Sequence, residues 1–495
     1  MHHKRYKTLT LLHSNDLHGD FLPVRENGID VGGVSLLSGY VSRTTEENPA
    51  TLYVIAGDMF RGSVIDAEYR GISTVEIMNM LSPDAVCVGN HETDYGVAHL
   101  LFLEKCARFP ILCANLRVTT NGAHLFAPCR VVKIDGMKVL FIGILTDEVL
   151  AQTRSEKLIG SFIDVAEAAE EVGRITGAYR TADIDYTVLL THVGLAKDRE
   201  LAEKLDPAWG VDLIIGGHSH TFMDAPQVVN GIPIAQAGFG SKQIGRFDLT
   251  IDTEENRAVD WKWRLDPVDE TTADRDPAVE EQISRFKSVT DRKYNRVVTR
   301  LKRKLTHPAR NRETELGDLF AECMRDAMDL DIMLYASGGI RSEEMGPVVS
   351  YSDLTECCPF DDRLYAVKVT GGQLRRMFSY MLREETFEGA HTEFYQFSDG
   401  LRLTYSRRKK AILSFTFDDE EVEDRQIFTL GLAEYHMRNI GTGLGITPEE
   451  LEHNGRIRLM AASCRDILDE YLTANPHLGH AVDGRITILP PDGEE

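Results

Sequence analysis

Five stretches of this chain repeat one pattern, a short apolar run that ends in Asp, His or Asn. They are Leu9-Thr10-Leu11-Leu12-His13-Ser14-Asn15-Asp16-Leu17-His18 and Leu52-Tyr53-Val54-Ile55-Ala56-Gly57-Asp58. Then come Asp84-Ala85-Val86-Cys87-Val88-Gly89-Asn90-His91-Glu92-Thr93-Asp94, Val188-Leu189-Leu190-Thr191-His192, and Val211-Asp212-Leu213-Ile214-Ile215-Gly216-Gly217-His218-Ser219-His220. Pooled, Asp16, His18, Asp58, Asn90, His192, His218 and His220 offer oxygen and imidazole nitrogen and no thiolate. That set suits divalent zinc, manganese or iron, and it fits calcium poorly because neutral imidazoles are weak ligands for it. Seven donors exceed the needs of one tetrahedral ion and suit two ions with a carboxylate between them. Asp58, at the end of the second run, is the natural bridge. Two ions roughly 3.5–4 Å apart can share a hydroxide, because coordination brings the pKa of water from about 15.7 to about 7. Such a hydroxide attacks phosphorus in line while the cations neutralise the phosphoryl oxygens, and no covalent enzyme intermediate is required.

His91 adjoins a proposed ligand without needing to be one. With Asp94 three residues on to hold its tautomer, it can give a proton or positive charge to a leaving oxygen. The plainer alternative is a histidine that only supports the fold. Asp16-x-His18 alone would be an ordinary turn, and a lone His192 a core histidine. Gly217-His218-Ser219-His220 is more specific, because two histidines two apart on a tight turn can face one cluster.

Parallel strands of an α/β sheet gather their carboxyl ends along one edge, where donors distant in sequence converge. Residues 7–265 fit that requirement, alternating apolar strands with helical segments at Thr74 to Leu81, Val97 to Arg108 and Asp164 to Tyr179. A strand is expected over Ile111 to Leu116, and Asp135-Gly136 reads as a hairpin turn between Arg130 to Ile134 and Lys138 to Ile144. Ile232 to Ala237 and Gly245 to Ile251 alternate as antiparallel strands do. From 266 to 300 the strands give way to a charged, helix-compatible connector with proline and acidic residues near its start. Residues 301–495 read as α+β, with a helix from Leu316 to Met328 after a capping Thr314, another from Thr370, and strands at Leu401 to Tyr405, Ala411 to Phe417 and Ile427 to Leu432.

At 495 residues the chain is long enough for two or three domains. The net charge of −23 would repel polymeric nucleic acid and anionic membrane, so a small anionic ligand must be met by metals or a few arginines. No stretch approaches the roughly 20 apolar residues of a membrane span. The amino end enters the first strand at once, with no room for the apolar core of a secretory signal, and a cytoplasmic protein is expected. The eight cysteines form no Cys-x-x-Cys pair, and several, such as Cys87 and Cys113, lie in apolar runs and read as buried reduced thiols.

The five stretches resemble the calcineurin-like metallophosphoesterases, whose signature runs Asp-x-His, Gly-Asp, Gly-Asn-His-Glu/Asp, a single His and Gly-His-x-His. The fuller spelling, Asn15-Asp16-Leu17-His18-Gly19 and Gly89-Asn90-His91-Glu92-Thr93-Asp94-Tyr95-Gly96, is similar to the branch of 5′-nucleotidases, UDP-sugar hydrolases and 2′,3′-cyclic-nucleotide phosphodiesterases. The resemblance implies an α/β fold, a four-layer catalytic domain with mixed β-sheets followed by an α+β nucleotidase C-terminal domain. It implies two divalent metal ions as cofactors, and pairing of His91 with Asp94. At His220 relatives carry Gln, Asn or His.

The likeness extends through the second domain. Arg310-Asn311-Arg312-Glu313-Thr314, Gly338-Gly339-Ile340-Arg341, Pro359-Phe360 and Phe394-Tyr395-Gln396-Phe397-Ser398 resemble elements of the family's nucleotide pocket. By that likeness Arg310 and Arg341 hold phosphate or ribose, and Phe360 stacks on a base. Tyr435 is the nearest candidate for a second stacking aromatic, one residue further on than in relatives. Two departures stand out. Ala336 replaces the usual Asn five residues before the arginine, and Asn439-Ile440-Gly441-Thr442-Gly443-Leu444 lacks the family's aspartate. Phe360 and Tyr435 could instead be core aromatics. The resemblance implies hydrolysis of nucleotides or related small phosphate esters. A 2′,3′-cyclic phosphodiesterase, a UDP-sugar or dinucleotide pyrophosphatase, and a catalytically silent nucleotide-binding protein are the alternatives.

Overall fold

The computed structural model describes residues 5–118, 120–146, 161–162, 164–387 and 392–491. The chain divides into two compact units, 1–290 and 291–495. The division falls inside the helix Pro277–Tyr294 of the expected connector. Asp276 starts that helix by accepting the amides of Ala278 and Val279, and Val279 and Ile283 are buried in the first unit's core.

The first unit is built on two six-stranded sheets. One runs Arg257–Pro267, Gln243–Asp252, Tyr6–Ser14, Thr51–Ile55, Ala85–Cys87, Ile111–Leu112; the other runs Gln227–Val229, Ile232–Ala235, Leu213–Ile215, Tyr186–His192, Met137–Leu145, Cys129–Ile134. Period-two alternation explains how they stack. Leu9 and Leu11 of one sheet share a core with Val139, Phe141, Val188 and Leu190 of the other. The intervening Leu12 turns outward to a core with Val75 and Leu100, from helices Ile72–Leu81 and Val97–Cys106. Likewise Leu140, Ile142 and Leu189 turn outward to Ala169 and Val172 of helix Val165–Ala178 and Leu201 of helix Leu195–Lys204. Helix, sheet, sheet, helix is the result, a four-layer α/β domain with mixed sheets.

Three expectations need correction. The polar strand ends do not lie along one sheet: Tyr6–Ser14, Thr51–Ile55 and Ala85–Cys87 belong to the first sheet, Tyr186–His192 and Leu213–Ile215 to the second. Ile232–Ala235 is antiparallel only to the outer strand Gln227–Val229 and runs parallel to Leu213–Ile215. The strand over Ile111 to Leu116 breaks in two, because the Asn115 carboxamide pairs with both the N–H (2.8 Å) and the C=O (2.5 Å) of Leu145. The hairpin is as expected, with Ile134 opposite Met137.

In the second unit, helix Glu315–Met328 is capped by Thr314, whose hydroxyl accepts the Gly317 amide. Helix Gly371–Met381 starts with a reciprocal cap between Thr370 and Gln373. These pack on a five-stranded sheet in the order Tyr395–Phe397, Ile332–Ala336, Ile427–Ala433, Leu364–Thr370, Arg458–Ala461. A four-stranded sheet contains Leu401–Ser406, Ala411–Phe417 and the late strand Ile486–Leu489. Among the described residues no helix is long and apolar enough to cross a membrane.

Candidate metal centre and substrate pocket

All seven donors read from the sequence come together in the first unit. Asp16, His18 and His220 each offer an atom within 4.8 Å of the others, and Asp58, His192 and His218 form a second such group. Asp58 also groups with His18 and His91, so it stands between the two sets. Asn90 completes the second, its Oδ1 lying 2.8 Å from His218 Nδ1 and 3.1 Å from His192 Nε2.

The backbone is bent to achieve this. Asp16, His18, Asp58, His218 and His220 all adopt positive φ, from 49° to 80°. L-residues enter that region at a cost of about 1–3 kcal/mol each, and such strain collects at functional sites. Glycine permits the close approaches between turns. A Cβ on Gly57, itself at φ 80°, would lie 2.4 Å from His192 Nδ1, and one on Gly89 would lie 2.2 Å from Asp58 Oδ1. Buried Glu92 ties two turns together, accepting the amides of Asp58 (3.1 Å), Met59 (2.7 Å) and Gly89 (2.7 Å). The sequence reading assigned Glu92 no role, although its place beside His91 is a signal.

The donor set fits a cation on its own geometry. His192 Nδ1 sits 2.8 Å from the Ala56 carbonyl, which can only accept, so Nδ1 carries hydrogen. In the neutral ring Nε2 then presents a lone pair to Asp58 Oδ2 at 3.1 Å and Asn90 Oδ1 at 3.1 Å, both acceptors. At His18, Nδ1 donates to the Arg61 carbonyl (3.1 Å), which leaves Nε2 as an acceptor 3.0 Å from His220 Nε2, whose role depends on the His220 tautomer. At His192 a lone pair facing a carboxylate at hydrogen-bond distance calls for a positive charge between them. Burial alone would lower the His192 pKa, but the Asp58 carboxylate raises it to about 9. Burial likewise disfavours ionised Asp58, yet the nearby imidazoles hold its pKa below the usual carboxylate range. A metal ion satisfies the same demand in place of the proton.

His91 stands beside this cluster. Its Nδ1 is 2.7 Å from Asp94 Oδ2, and its backbone N–H donates to Asp58 Oδ1 at 2.9 Å. The hydrogen bond to Asp94 raises the His91 pKa against the opposing effect of burial. Arg61, which the sequence reading missed, also pairs with Asp94. It lies three residues beyond Asp58 in a turn with no pattern to mark it.

In the second unit Arg310, Arg341, Phe360 and Tyr435 line one cavity of about 410 Å³. The Arg341 guanidinium lies 5.1 Å from the centre of the Phe360 ring. Phe360 is 51% exposed and Tyr435 61%, so neither is a core aromatic. Asp362, Glu393 and His436 line the same cavity and were not foreseen. Asp362 follows Phe360 by two residues and His436 follows Tyr435 by one, and that adjacency was the available signal. Ala336, where relatives place Asn, also lines the cavity.

A four-layer domain whose strand ends present this donor set defines a metallophosphoesterase. Residues 9–222 match the model of the calcineurin-like phosphoesterases, and residues 296–446 match that of the 5′-nucleotidase C-terminal domain. The chain belongs to the calcineurin-like phosphoesterases that carry a 5′-nucleotidase C-terminal domain, and it is a metal-dependent phosphoric ester hydrolase. It is 27% identical to the Protein 5NUC of Lutzomyia longipalpis over 97% of this chain and 93% of that one. It is 24% identical to the 5′-nucleotidase of Mus musculus over 97% of this chain and 90% of that one. The crystal structure of a 5′-nucleotidase precursor from Thermus thermophilus has a similar fold, with a TM-score of 0.59, 24% identity and coverage of 99% and 100%.

Proposed function

We propose that this chain is a 5′-nucleotidase-like hydrolase of nucleotides whose first unit holds two divalent cations, zinc, manganese or iron, on either side of Asp58. Asp16, His18 and His220 hold one cation; Asn90, His192 and His218 hold the other. The observation that carries this reading is the place of Asp58, in reach of donors from both sets. When bound, such a pair supplies Lewis acidity toward phosphoryl oxygens and acidifies water to near neutral pH.

The chain's own residues do the rest. His91, whose pKa is raised by its hydrogen bond to Asp94, stands at the rim to neutralise or protonate the leaving oxygen. Arg61 pairs with the same Asp94 oxygen, Oδ2, that faces His91 and so helps to hold that carboxylate in place. In the second unit, Phe360 and Tyr435 offer aromatic faces to a base, and Arg310 and Arg341 offer guanidinium groups to phosphate or ribose. The name of the Mus musculus relative supports a nucleotide substrate.

The test is a hydrolysis panel of nucleoside monophosphates, 2′,3′-cyclic nucleotides, sugar nucleotides and dinucleotides, run beside metal analysis. Fastest release of phosphate from 5′-monophosphates supports the reading. A preference for cyclic nucleotides or pyrophosphate links reassigns the substrate, and no turnover of any of them with metals bound refutes hydrolysis.

A further inference from the structure

The second unit contains a cluster of acids that the metal centre and the pocket do not use. Glu313 precedes the helix Glu315–Met328, Asp318 lies in that helix's first turn, and Asp483 belongs to the turn before the strand Ile486–Leu489. These three carboxylates each bring an oxygen within 4.8 Å of the others. Glu313 is already anchored: Oε1 accepts the amides of Asp483 and Gly484 at 3.1 Å each, and Oε2 that of Ile486 at 3.0 Å. Asp483 accepts from Arg485 Nε and from Arg402, both at 3.1 Å.

Asp318 is different. Its side chain is wholly buried, and among the described residues no N–H or O–H donates to either carboxylate oxygen; the neighbour at hydrogen-bond range is another acceptor, the Glu313 carboxylate. The nearest guanidinium nitrogen, Arg485 Nε, is 4.0 Å away, and Arg485 is shared with Asp483 and with Glu322 at 2.9 Å. Around the cluster two guanidinium groups, Arg485 and Arg402, face the carboxylates of Asp318, Glu322, Asp399 and Asp483, and Glu313 adds a further carboxylate held by backbone amides. His480, 3.6 Å from Glu322, has its pKa lowered by burial and adds little charge. An unpartnered buried carboxylate costs several kcal/mol by the order of desolvation energies.

We infer that a hard divalent cation of the calcium class binds between Glu313, Asp318 and Asp483, and that it fastens the start of helix Glu315–Met328 to the turn before the last strand. The donors are carboxylate oxygens, the chemistry that selects a hard ion over the softer ions suited to imidazole. Two of the three carry neighbours that fix them, so the site is formed before the ion arrives. Without a cation, burial pushes the Asp318 carboxyl up to about 8, which measures how poorly the cluster tolerates its own charge. The inference is independent of the proposed reaction, since this cluster belongs neither to the metal centre nor to the lining of the pocket.

The probe is calcium alone, added to the full chain after chelation and dialysis, with thermal unfolding as the readout. Calcium in large excess over its dissociation constant should raise the unfolding temperature of the wild type by roughly 5–10 °C. Asp318→Asn should not respond and should match the wild type's stability without calcium, because the neutral amide has the shape of the protonated carboxyl that burial favours when no cation is bound. Calorimetric titration should find one calcium fewer per chain in the variant. If Asp318→Asn does not fold, Asp483→Asn, at the exposed rim, should show the same lost response. Equal responses of wild type and variants, or a wild type insensitive to calcium, would overturn the inference. A calcium-independent wild type that loses stability as pH rises past about 8 would overturn it too, and would mean that Asp318 and Glu313 share a proton instead.

Discussion

Asp58 and His192 meet 3.1 Å apart, Oδ2 to Nε2, although the strands they follow or end, Thr51–Ile55 and Tyr186–His192, belong to different sheets. The contact bridges the seam of the four-layer domain, and the His192 tautomer set by the Ala56 carbonyl turns it into a demand for positive charge. Replacing Asp58 by Asn keeps the shape and removes the carboxylate's charge. Asp58→Asn is expected to lower bound metal and to cut turnover on the order of 10²–10³-fold or more. Metal analysis of the purified variant beside its rate of phosphate release is the check, and full metal content with a normal rate would count against Asp58 as a bridge.

His91 is placed beside the cluster and paired with Asp94 at 2.7 Å. His91→Ala should therefore retain metal and lose turnover by roughly 10²–10⁴-fold, the usual range for a positioned acid. Loss of metal in parallel with activity would make His91 a ligand. Asp94→Asn should give a smaller loss on substrates whose leaving group needs no proton, such as a nitrophenyl ester.

Phe360 presents a half-exposed ring to the pocket, backed by Arg341. Phe360→Ala should raise KM for a nucleotide by roughly 10-fold or more, since stacking on a base is worth about 1–3 kcal/mol. The same variant should leave hydrolysis of a simple aryl phosphate nearly unchanged. Equal losses on both substrates would refute a base-stacking role.

Asp198, hydrogen-bonded to the neighbour of His192 and not itself one of the donors, supplies a pH test. It is fully buried between the Thr191 hydroxyl (2.5 Å) and Gln236 Nε2 (3.3 Å), and burial pushes its pKa up to about 7. Because the folded-state pKa is raised, its contribution to stability is fully present below the unfolded value near 4 and is lost as pH rises through about 7. Denaturant unfolding should show this part of the stability falling between about pH 4 and 8, by an amount on the order of 2–4 kcal/mol. Asp198→Asn should flatten that slope, and an unchanged profile would show that Asp198 does not titrate there.

Much of the candidate metal centre was legible in the sequence because each donor follows an apolar run whose strand character is unambiguous. His192 and Gly216-Gly217-His218 are cases where the run ends and the polar residue begins without a gap. What could not be read was the pairing of those runs. The step from Ala85–Cys87 to Tyr186–His192 crosses from one sheet to the other, and periodicity carries no record of partner strands. The positive φ of Asp58 and His220 was hidden for a different reason, since only glycine and asparagine commonly announce that region. In the second unit the aromatic and arginine residues of the pocket were recovered by resemblance. Asp362 and Glu393 were not, because a carboxylate facing a cavity reads in sequence like any solvated acid.

Two cations sharing Asp58 are the centre of the proposed chemistry, and manganese offers a direct view of them. Electron paramagnetic resonance of the chelated chain reloaded with Mn²⁺ should show a spin-coupled pair with two ions per chain, and Asp58→Asn should abolish the coupling. The six-line spectrum of isolated Mn²⁺ in an active wild type, with one ion per chain, would contradict the two-cation centre.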